Sequence, residues 1–188
     1  MNIVNEVKVA ISVLKLDKVK MAEVAKNKEA TFLGIGFLAV PAIINVILTA
    51  LTFPSGFGSI FSRFLLWPIV IPVLSTVATT FLVSLVAEKA FKGNKDHVGF
   101  FRIVSYASVV LWVTILAYLL RLIGLELVFL ASLVAGLYLL YVIYNILMEH
   151  HKLTKEHAIY TIIAAFFISI LVSSILGNVL VGSGYRMY

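Results

Sequence analysis

The chain has 188 residues, of which 62% are hydrophobic and 13% are charged, and its formal net charge is +6. A soluble domain averages about 45–50% apolar and about 25% charged residues, so this composition predicts a membrane protein. The absence of cysteine excludes disulfides, thiolate metal sites and thiol nucleophiles. The positive charge does not indicate nucleic-acid binding, because the basic residues lie beside apolar runs, where they orient spans and contact anionic lipid.

Residues 1–30 are predicted to form a cytoplasmic amphipathic segment rather than a span. Apolar residues recur there at helical spacing, at Ile3, Val7, Ile11 and Leu14. Asp17 can cap a second short helix. We expect an amphipathic helix lying at the membrane interface near anionic head groups, the alternative being a solvated helical tail. The candidate lipid-binding residues are Lys8, Lys15, Lys18, Lys20, Lys26 and Lys28.

Five apolar runs follow, each long enough to cross about 30 Å of hydrocarbon as a helix. They cover residues 31–53, 64–87, 100–123, 126–148 and 158–181. The predicted fold is therefore an all-α, polytopic membrane helix bundle with five transmembrane helices in a domain of residues 31–182, followed by a short tail of residues 183–188. Pro41 should kink the first span, and a neighbouring helix should satisfy the carbonyl that this proline frees.

The placement of lysine and arginine predicts the orientation. With five spans, the N-terminal segment, the 88–99 connection with Arg102, and the 149–157 connection share one side, and they hold 12 of the 15 Lys and Arg residues. The positive-inside rule then places the N-terminus in the cytoplasm and the C-terminal tail outside. The other side receives Arg63, Arg121 and Arg186.

Small residues in the last two spans predict helix contacts, because small side chains let helices approach closely. We expect these faces to pack within the bundle or against a second copy. The candidate helix-packing residues are Ala131, Ser132, Ala135 and Gly136 in the fourth span, and Thr161, Ala165, Ser169, Ser173 and Gly177 in the fifth.

Hydroxyl residues in the second span have two interpretations. Such residues most often hydrogen-bond across helix contacts, and the alternative is that they line a polar path through the membrane. We favour packing, because no ionisable residue joins them. The residues concerned are Ser75, Thr76, Thr79, Thr80 and Ser84.

Two charged residues, Arg121 and Glu126, flank a tight turn at Gly124. An ionised group deep in lipid costs at least about 2.5–3.5 kcal/mol, so intramembrane charges usually mark function. These two lie at span ends, where they can reach the interface or pair with each other. A structural role is therefore expected.

One ligand-like cluster lies near the 149–157 connection. Histidine and carboxylate suit Zn²⁺ or Ni²⁺, but the spacing matches no closed site, and adjacent histidines on a helix point in different directions. We therefore expect no metal and no cofactor, and a solvated loop that gains charge below about pH 6.5. No serine or threonine has a histidine and an acid placed to orient it, so no hydrolase nucleophile set is predicted. The cluster comprises Glu149, His150, His151, Glu156 and His157, which Asp96 and His97 can join.

Residues 91–108 carry a resemblance to a known family. They contain a glycine-containing polar turn, then an aromatic residue, then the pair Tyr106–Ala107 early in the third span. Together with residues 153–158, which lead into the last span, and with the five-span pattern, this segment resembles the Yip1 domain family, in its small prokaryotic type. The proline that usually follows the tyrosine–alanine pair is absent from residues 108–111.

The resemblance implies a non-enzymatic integral membrane protein, since eukaryotic relatives act as binding and scaffolding proteins in membrane traffic. We expect a scaffold or adaptor for membrane organisation or membrane-protein assembly, in a prokaryotic cytoplasmic membrane. The expected partners are anionic lipid head groups, a second copy or another membrane protein. The alternatives are a small transporter or channel that uses the second-span hydroxyls, and a membrane-embedded enzyme that uses Glu126 or the histidine cluster.

Overall fold

The computed structural model describes residues 3–52, 67–121 and 127–180. The N-terminal segment forms α1 (Ile3–Leu14) and α2 (Lys18–Lys26), and the apolar runs form α3 (Ala30–Thr52), α4 (Trp67–Phe91), α5 (His97–Ala107), α6 (Val113–Arg121), α7 (Val128–His150) and α8 (Lys155–Leu180). A 3₁₀ turn, Ser108–Trp112, joins α5 to α6. These described residues contain no strand, which confirms the all-α prediction.

Five stretches of the described chain are long and apolar enough to cross a membrane, which confirms the predicted number of spans. They are Ala30–Leu48, Ile69–Phe91, His97–Leu120, Val128–His150 and Lys155–Leu176. The helix of the second span, α4, ends four residues after the predicted residue 87, and the helix of the fifth span, α8, begins three residues before the predicted residue 158. Polar residues at the end of a span can continue the helix into the membrane interface. Which end faces the cytoplasm stays a prediction.

The N-terminal segment packs against the bundle. Ala10 and Val13 of α1 and Met21 of α2 are buried in the common core. The carboxylate of Asp17 accepts hydrogen bonds from the backbone N–H groups of Val19 and Lys20, which confirms the predicted cap of α2. The guanidinium of Arg102 on α5 donates to the Ala25 carbonyl at 2.7 Å and to the Thr31 hydroxyl at 2.8 Å. One cation thus joins the end of α2 and the start of α3 to the third span.

Pro41 lies inside α3 and removes the hydrogen bond that would reach the Phe37 carbonyl. The indole N–H of Trp112 donates to that carbonyl at 3.1 Å, so a neighbouring span satisfies it, as predicted. The Phe37 ring packs edge-on against Tyr106 and Trp112, with ring centroids 4.9 and 5.8 Å apart. The 3₁₀ turn therefore carries the residue that compensates the proline.

Replacing Trp112 by Phe should leave the Phe37 carbonyl unpaired in the bundle and lower the free energy of unfolding by about 1–3 kcal/mol. In a Pro41→Ala background, the new N–H can bond that carbonyl within α3, so the same substitution should cost clearly less. Unfolding of the four proteins in detergent micelles gives this coupling as a double-mutant cycle. Additive effects would show that the indole N–H does not serve the proline-freed carbonyl.

Gly34 marks a close approach of α3 to α5. A β-carbon at this position would overlap the Ser105 hydroxyl and lie 2.8 Å from the Ser105 β-carbon, whereas one at Gly36 would meet nothing within 4 Å. Gly34→Ala should therefore destabilise the protein by about 1–3 kcal/mol through overpacking. Gly36→Ala is the matched control and should cost nothing measurable in thermal unfolding. Equal effects of the two substitutions would contradict this contact.

Candidate functional site at the polar end of the bundle

Polar side chains from three helices and two connections meet at one end of the bundle, around Ser84 of α4. The Ser84 side chain is completely buried. Its Oγ lies 2.8 Å from His97 Nδ1, at the start of α5, and 3.0 Å from His151 Nε2, just after α7. The 88–99 and 149–157 segments, which the sequence analysis placed on one side, are therefore in contact.

Both histidines use their second ring nitrogen as well. His97 Nε2 lies 3.0 Å from Glu88 Oε2, and His151 Nδ1 lies 2.7 Å from the Asn94 carbonyl oxygen. The result is a continuous line of polar contacts across the end of the bundle, made of three hydrogen bonds and the contact between the His97 imidazole and the Glu88 carboxylate. We call it the histidine–serine chain, and its members in order are Glu88, His97, Ser84, His151 and Asn94.

The backbone around this chain is tightly built. A residue with left-handed backbone follows each of α4 and α7, a common feature of helix termini. It is Lys92 (φ 56°), directly after Phe91, and Lys152 (φ 58°), two residues after His150. The N–H groups of Gly93 and Asn94 donate to the carbonyls of Ala87 and His151, at 2.9 and 3.1 Å. A β-carbon on Gly93 would lie 3.0 Å from the Ala87 oxygen and 3.2 Å from the His151 β-carbon, so glycine fits this crossing of the two connections best.

The two adjacent histidines point in different directions, as predicted. His151 faces the histidine–serine chain, whereas His150 Nε2 lies 3.0 Å from the Asp96 carbonyl and 3.5 Å from its carboxylate. The other carboxylate oxygen of Asp96 accepts the Gly99 N–H at 2.8 Å and caps α5. In the described parts of the chain, no group of three or more histidine and acidic side chains is positioned to hold a metal ion.

The prediction of a solvated loop is wrong for His151, whose side chain is 1% exposed. Burial, the largest cause, lowers the pKa of His151 to about 4, although its hydrogen bond to the Asn94 carbonyl acts in the opposite direction. The sequence did not reveal this burial, because the residues that enclose the ring, Ser84 and Asn94, lie 67 and 57 positions away.

The prediction that no serine has an aligned histidine and acid is also wrong, since Ser84, His97 and Glu88 form such a line. Local spacing could not show it, because the 92–96 connection turns the chain back before His97. The Ser84 oxygen has no exposed surface and also contacts His151. The line therefore joins helices in this structure and presents no accessible nucleophile.

The predicted lipid-binding lysines have two kinds of surroundings. Lys18 pairs with Glu149 of α7 at 2.5 Å, and Lys20 pairs with Glu23 at 2.7 Å, a hydrogen bond that raises the pKa of Lys20. The remaining four are exposed and make no ion pair within the described residues, namely Lys8, Lys15, Lys26 and Lys28.

The predicted helix-packing residues divide by face. Thr161 is buried, Ala165 packs against the core, and Ser173 Oγ lies 2.8 Å from Ser75 Oγ, so this stripe of α8 faces α4. Also on α8, the Ser169 hydroxyl donates to the Phe166 carbonyl of the same helix, and Gly177 is part of that helix.

The four predicted residues of α7 differ in exposure. Ala135 is buried and Ala131 is half-buried, whereas Ser132 is exposed and Gly136 borders open space.

The second-span hydroxyls mostly bond within the protein. Thr76 donates to the Pro72 carbonyl at 2.8 Å and Thr80 to the Thr76 carbonyl at 2.7 Å. Ser75 and Ser84 contact Ser173 and the two histidines. The Thr79 oxygen is buried without a hydrogen-bond partner among the described residues.

The predicted turn at Gly124, with Glu126 and the Arg121 side chain on either side of it, lies outside the described residues.

The low pKa of His151 predicts a loss of stability in acid. The unfolded histidine binds a proton near its ordinary pKa of 6.5, whereas the folded one binds it only near 4. The contribution of the buried, neutral His151 to the free energy of unfolding should therefore be fully present above pH 6.5 and be lost as the pH falls from there towards 4. His151→Gln should reduce this fall in detergent unfolding experiments, while His157→Gln, whose native ring stacks on Phe91, should retain it. An equal fall in all three proteins would contradict the burial.

The sequence matches the Yip1 domain family over residues 17–176. No curated protein and no solved structure matches the chain. The matched segment begins at the cap of α2 and includes every member of the histidine–serine chain. Because the match covers most of the chain and confirms the resemblance seen in residues 91–108, this multi-pass membrane protein belongs to the Yip1 domain family.

Proposed function

We propose that this Yip1-family protein is a non-enzymatic scaffold of a prokaryotic cytoplasmic membrane. It contacts anionic head groups through its N-terminal segment and assembles with a second copy or another membrane protein through its spans. The observation that carries the proposal is the division of α1 into three faces.

Each face of α1 suits a different environment. Ala10 and Val13 are completely buried against the bundle. The next face exposes Ile3 and Ile11, at 68% and 43%. At 3.6 residues per turn, the exposed lysines come next around the helix. They are Lys8 of α1 and Lys15, which directly follows α1 and donates its backbone N–H to the Ile11 carbonyl. A helix with one side in protein, one apolar and one basic is suited to the interface between acyl chains and head groups.

Two hydrogen bonds fix α1 on the bundle. The Tyr106 hydroxyl of α5 donates to the Glu6 carboxylate at 2.7 Å, and the Tyr138 hydroxyl of α7 donates to the Leu14 carbonyl at 2.9 Å. Lys8 and Lys15 therefore project from a backbone that is already ordered. Head-group binding then costs less conformational entropy than it would for a disordered tail.

The spans also support a role in assembly. Large apolar side chains cover the outward surface of α8, including the exposed Phe166, Phe167 and Leu171. Ser132 and Gly136 leave a shallow place on the open face of α7, where another helix can approach closely. The transporter alternative has less support, because four of the five second-span hydroxyls already have hydrogen-bond partners in the protein.

Lipid binding by the full-length protein tests the proposal. Lys8→Gln together with Lys15→Gln should weaken binding of phosphatidylglycerol to the delipidated protein by about tenfold or more, since each lysine near an anionic surface contributes about 1 kcal/mol. Titration in detergent, followed by native mass spectrometry, measures this change at two salt concentrations. The wild-type affinity should fall as salt rises.

The matched control is Lys18→Gln with Lys20→Gln, which removes the same charge from lysines already paired with Glu149 and Glu23. It should weaken lipid binding less. Equal losses in the two double variants, or binding that is insensitive to salt, would contradict a role for the α1 face.

A further inference from the structure

Four exposed lysines lie on the two polar connections that the histidine–serine chain joins. The 88–99 connection carries Lys92 and Lys95, and the 149–157 connection carries Lys152 and Lys155. We call these four residues the lysine patch. None of them makes an ion pair within the described residues, so their ammonium groups are available to an anion from outside the protein.

The crossing of the connections brings three of these lysines together. The Asn94 N–H donates to the His151 carbonyl at 3.1 Å. Lys92 lies two residues before Asn94, Lys95 directly follows it, and Lys152 directly follows His151. Consecutive Cα atoms are about 3.8 Å apart, so the three lysine backbones lie within roughly 10 Å of one another.

Lys155 joins the patch from the start of α8. The ring of His157, two residues further along α8, stacks on Phe91 with ring centroids 4.7 Å apart. Phe91 directly precedes Lys92. The patch therefore consists of two pairs of lysines, one pair on each connection.

Most acidic side chains of these connections already have partners. The exposed carboxylate of Glu156 is the exception, because it makes no ion pair in the part of the chain that the structure describes. Four free ammonium groups therefore face one free carboxylate, and the patch is positively charged. The acids with a basic side chain within 4 Å are Glu88 with Lys89, Asp96 with His150, and Glu149 with Lys18.

Three of the lysines occupy backbone positions that suit other residues better. Lys92 and Lys152 have φ angles of 56° and 58°, a conformation that glycine and asparagine adopt with less strain. Lys155 is the first residue of α8, where the helix dipole disfavours a cation. Strained backbone persists where the surrounding structure holds it, and it is concentrated at functional sites. Lysine at these positions is thus evidence of a use for the charge.

The patch lies at the ends of four membrane spans. Two candidate spans end at Phe91 and His150, and two begin at His97 and Lys155. Each lysine of the patch is therefore within two residues of a span end. The head-group layer extends about 5–8 Å beyond the hydrocarbon on each side, so long lysine side chains at this level reach lipid phosphates.

We propose that the lysine patch is a binding site for the head group of a phospholipid that carries two phosphates. Lys92 and Lys95 hold one phosphate, and Lys152 and Lys155 hold the other. Once the first phosphate is bound, the second is present at a high effective concentration, so such a lipid binds more tightly than lipids with one phosphate. The histidine–serine chain holds the two connections together and so keeps the two pairs of lysines close to each other.

This site deepens the proposed function and rests on it in one respect, that an anionic membrane surrounds the protein. It uses none of the lysines of the N-terminal segment. The probes are cardiolipin, which carries two phosphates, and phosphatidylglycerol, which carries one. Native mass spectrometry of the delipidated, full-length protein in detergent gives the dissociation constant for each lipid. The wild type should bind cardiolipin about tenfold or more tightly than phosphatidylglycerol, whereas the number of phosphates alone gives a factor of about two.

Lys92→Asn together with Lys152→Asn removes one charge from each pair and relieves the strained backbone. The preference for cardiolipin should fall to about twofold. The midpoint of thermal unfolding in detergent should rise by about 2–4 °C, because asparagine tolerates the left-handed conformation. Lipid selectivity is then lost while stability is gained, which is the trade-off expected of a binding site.

Lys95→Gln together with Lys155→Gln removes the same charge without touching the two left-handed residues. It should also lose the preference for cardiolipin, and it decides the question if the asparagine variant does not fold. Lys8→Gln together with Lys15→Gln is the control. It should weaken the binding of both lipids and keep their ratio, so the ratio reports on the lysine patch and the affinity for phosphatidylglycerol reports on the α1 face.

A wild-type preference of about twofold would overturn the proposal, as would an unchanged preference in both patch variants. An asparagine variant that keeps the preference and unfolds more easily than the wild type would show that Lys92 and Lys152 serve the C-terminal dipoles of α4 and α7 instead.

Discussion

A buried polar group in a membrane bundle must find its partner inside the protein, because hydrocarbon offers none. This constraint explains the contacts that fix the present fold. The Phe37 carbonyl, which Pro41 leaves without its helical donor, accepts a hydrogen bond from Trp112, and the Ala25 carbonyl at the end of α2 accepts one from Arg102. Ser84, fully enclosed on α4, is served by two histidines from different parts of the chain. Each of these hydrogen bonds joins two elements whose relative position apolar packing alone would not fix.

These contacts gather at the polar end of the bundle, and they give that end a defined shape. The N-terminal segment is held by Arg102, Tyr106 and Tyr138, and the two polar connections are held by the histidine–serine chain. The far ends of the spans show no comparable network within the described residues. A basic surface at one end and apolar helices beyond it support the proposed role as a membrane scaffold, because such a protein must present fixed contacts to lipid and to neighbouring helices.

Local pattern was enough to predict much of this fold. The five spans follow from apolar length, the cap at Asp17 from a single side chain, and the need for a donor near Pro41 from backbone chemistry. The identity of that donor did not follow, because Trp112 lies 75 positions from Phe37 in a 3₁₀ turn that no proline marks. The burial of His151 was missed for the same reason, since the ring contacts Ser84 and Asn94, 67 and 57 positions away. The alignment of Ser84 with His97 was missed because it depends on the 92–96 connection, which turns the chain back.

The α4–α5 connection is fastened to the end of α7 around Ser84, although its sequence is typical of a solvent-exposed polar loop. Hydrogen exchange of the Gly93 and Asn94 amides in bilayer-reconstituted protein tests it most directly, since these N–H groups bond the carbonyls of Ala87 and His151. Both amides should exchange slowly in the wild type and markedly faster in Ser84→Ala. Exchange of both wild-type amides at the rate of an unstructured peptide would contradict it.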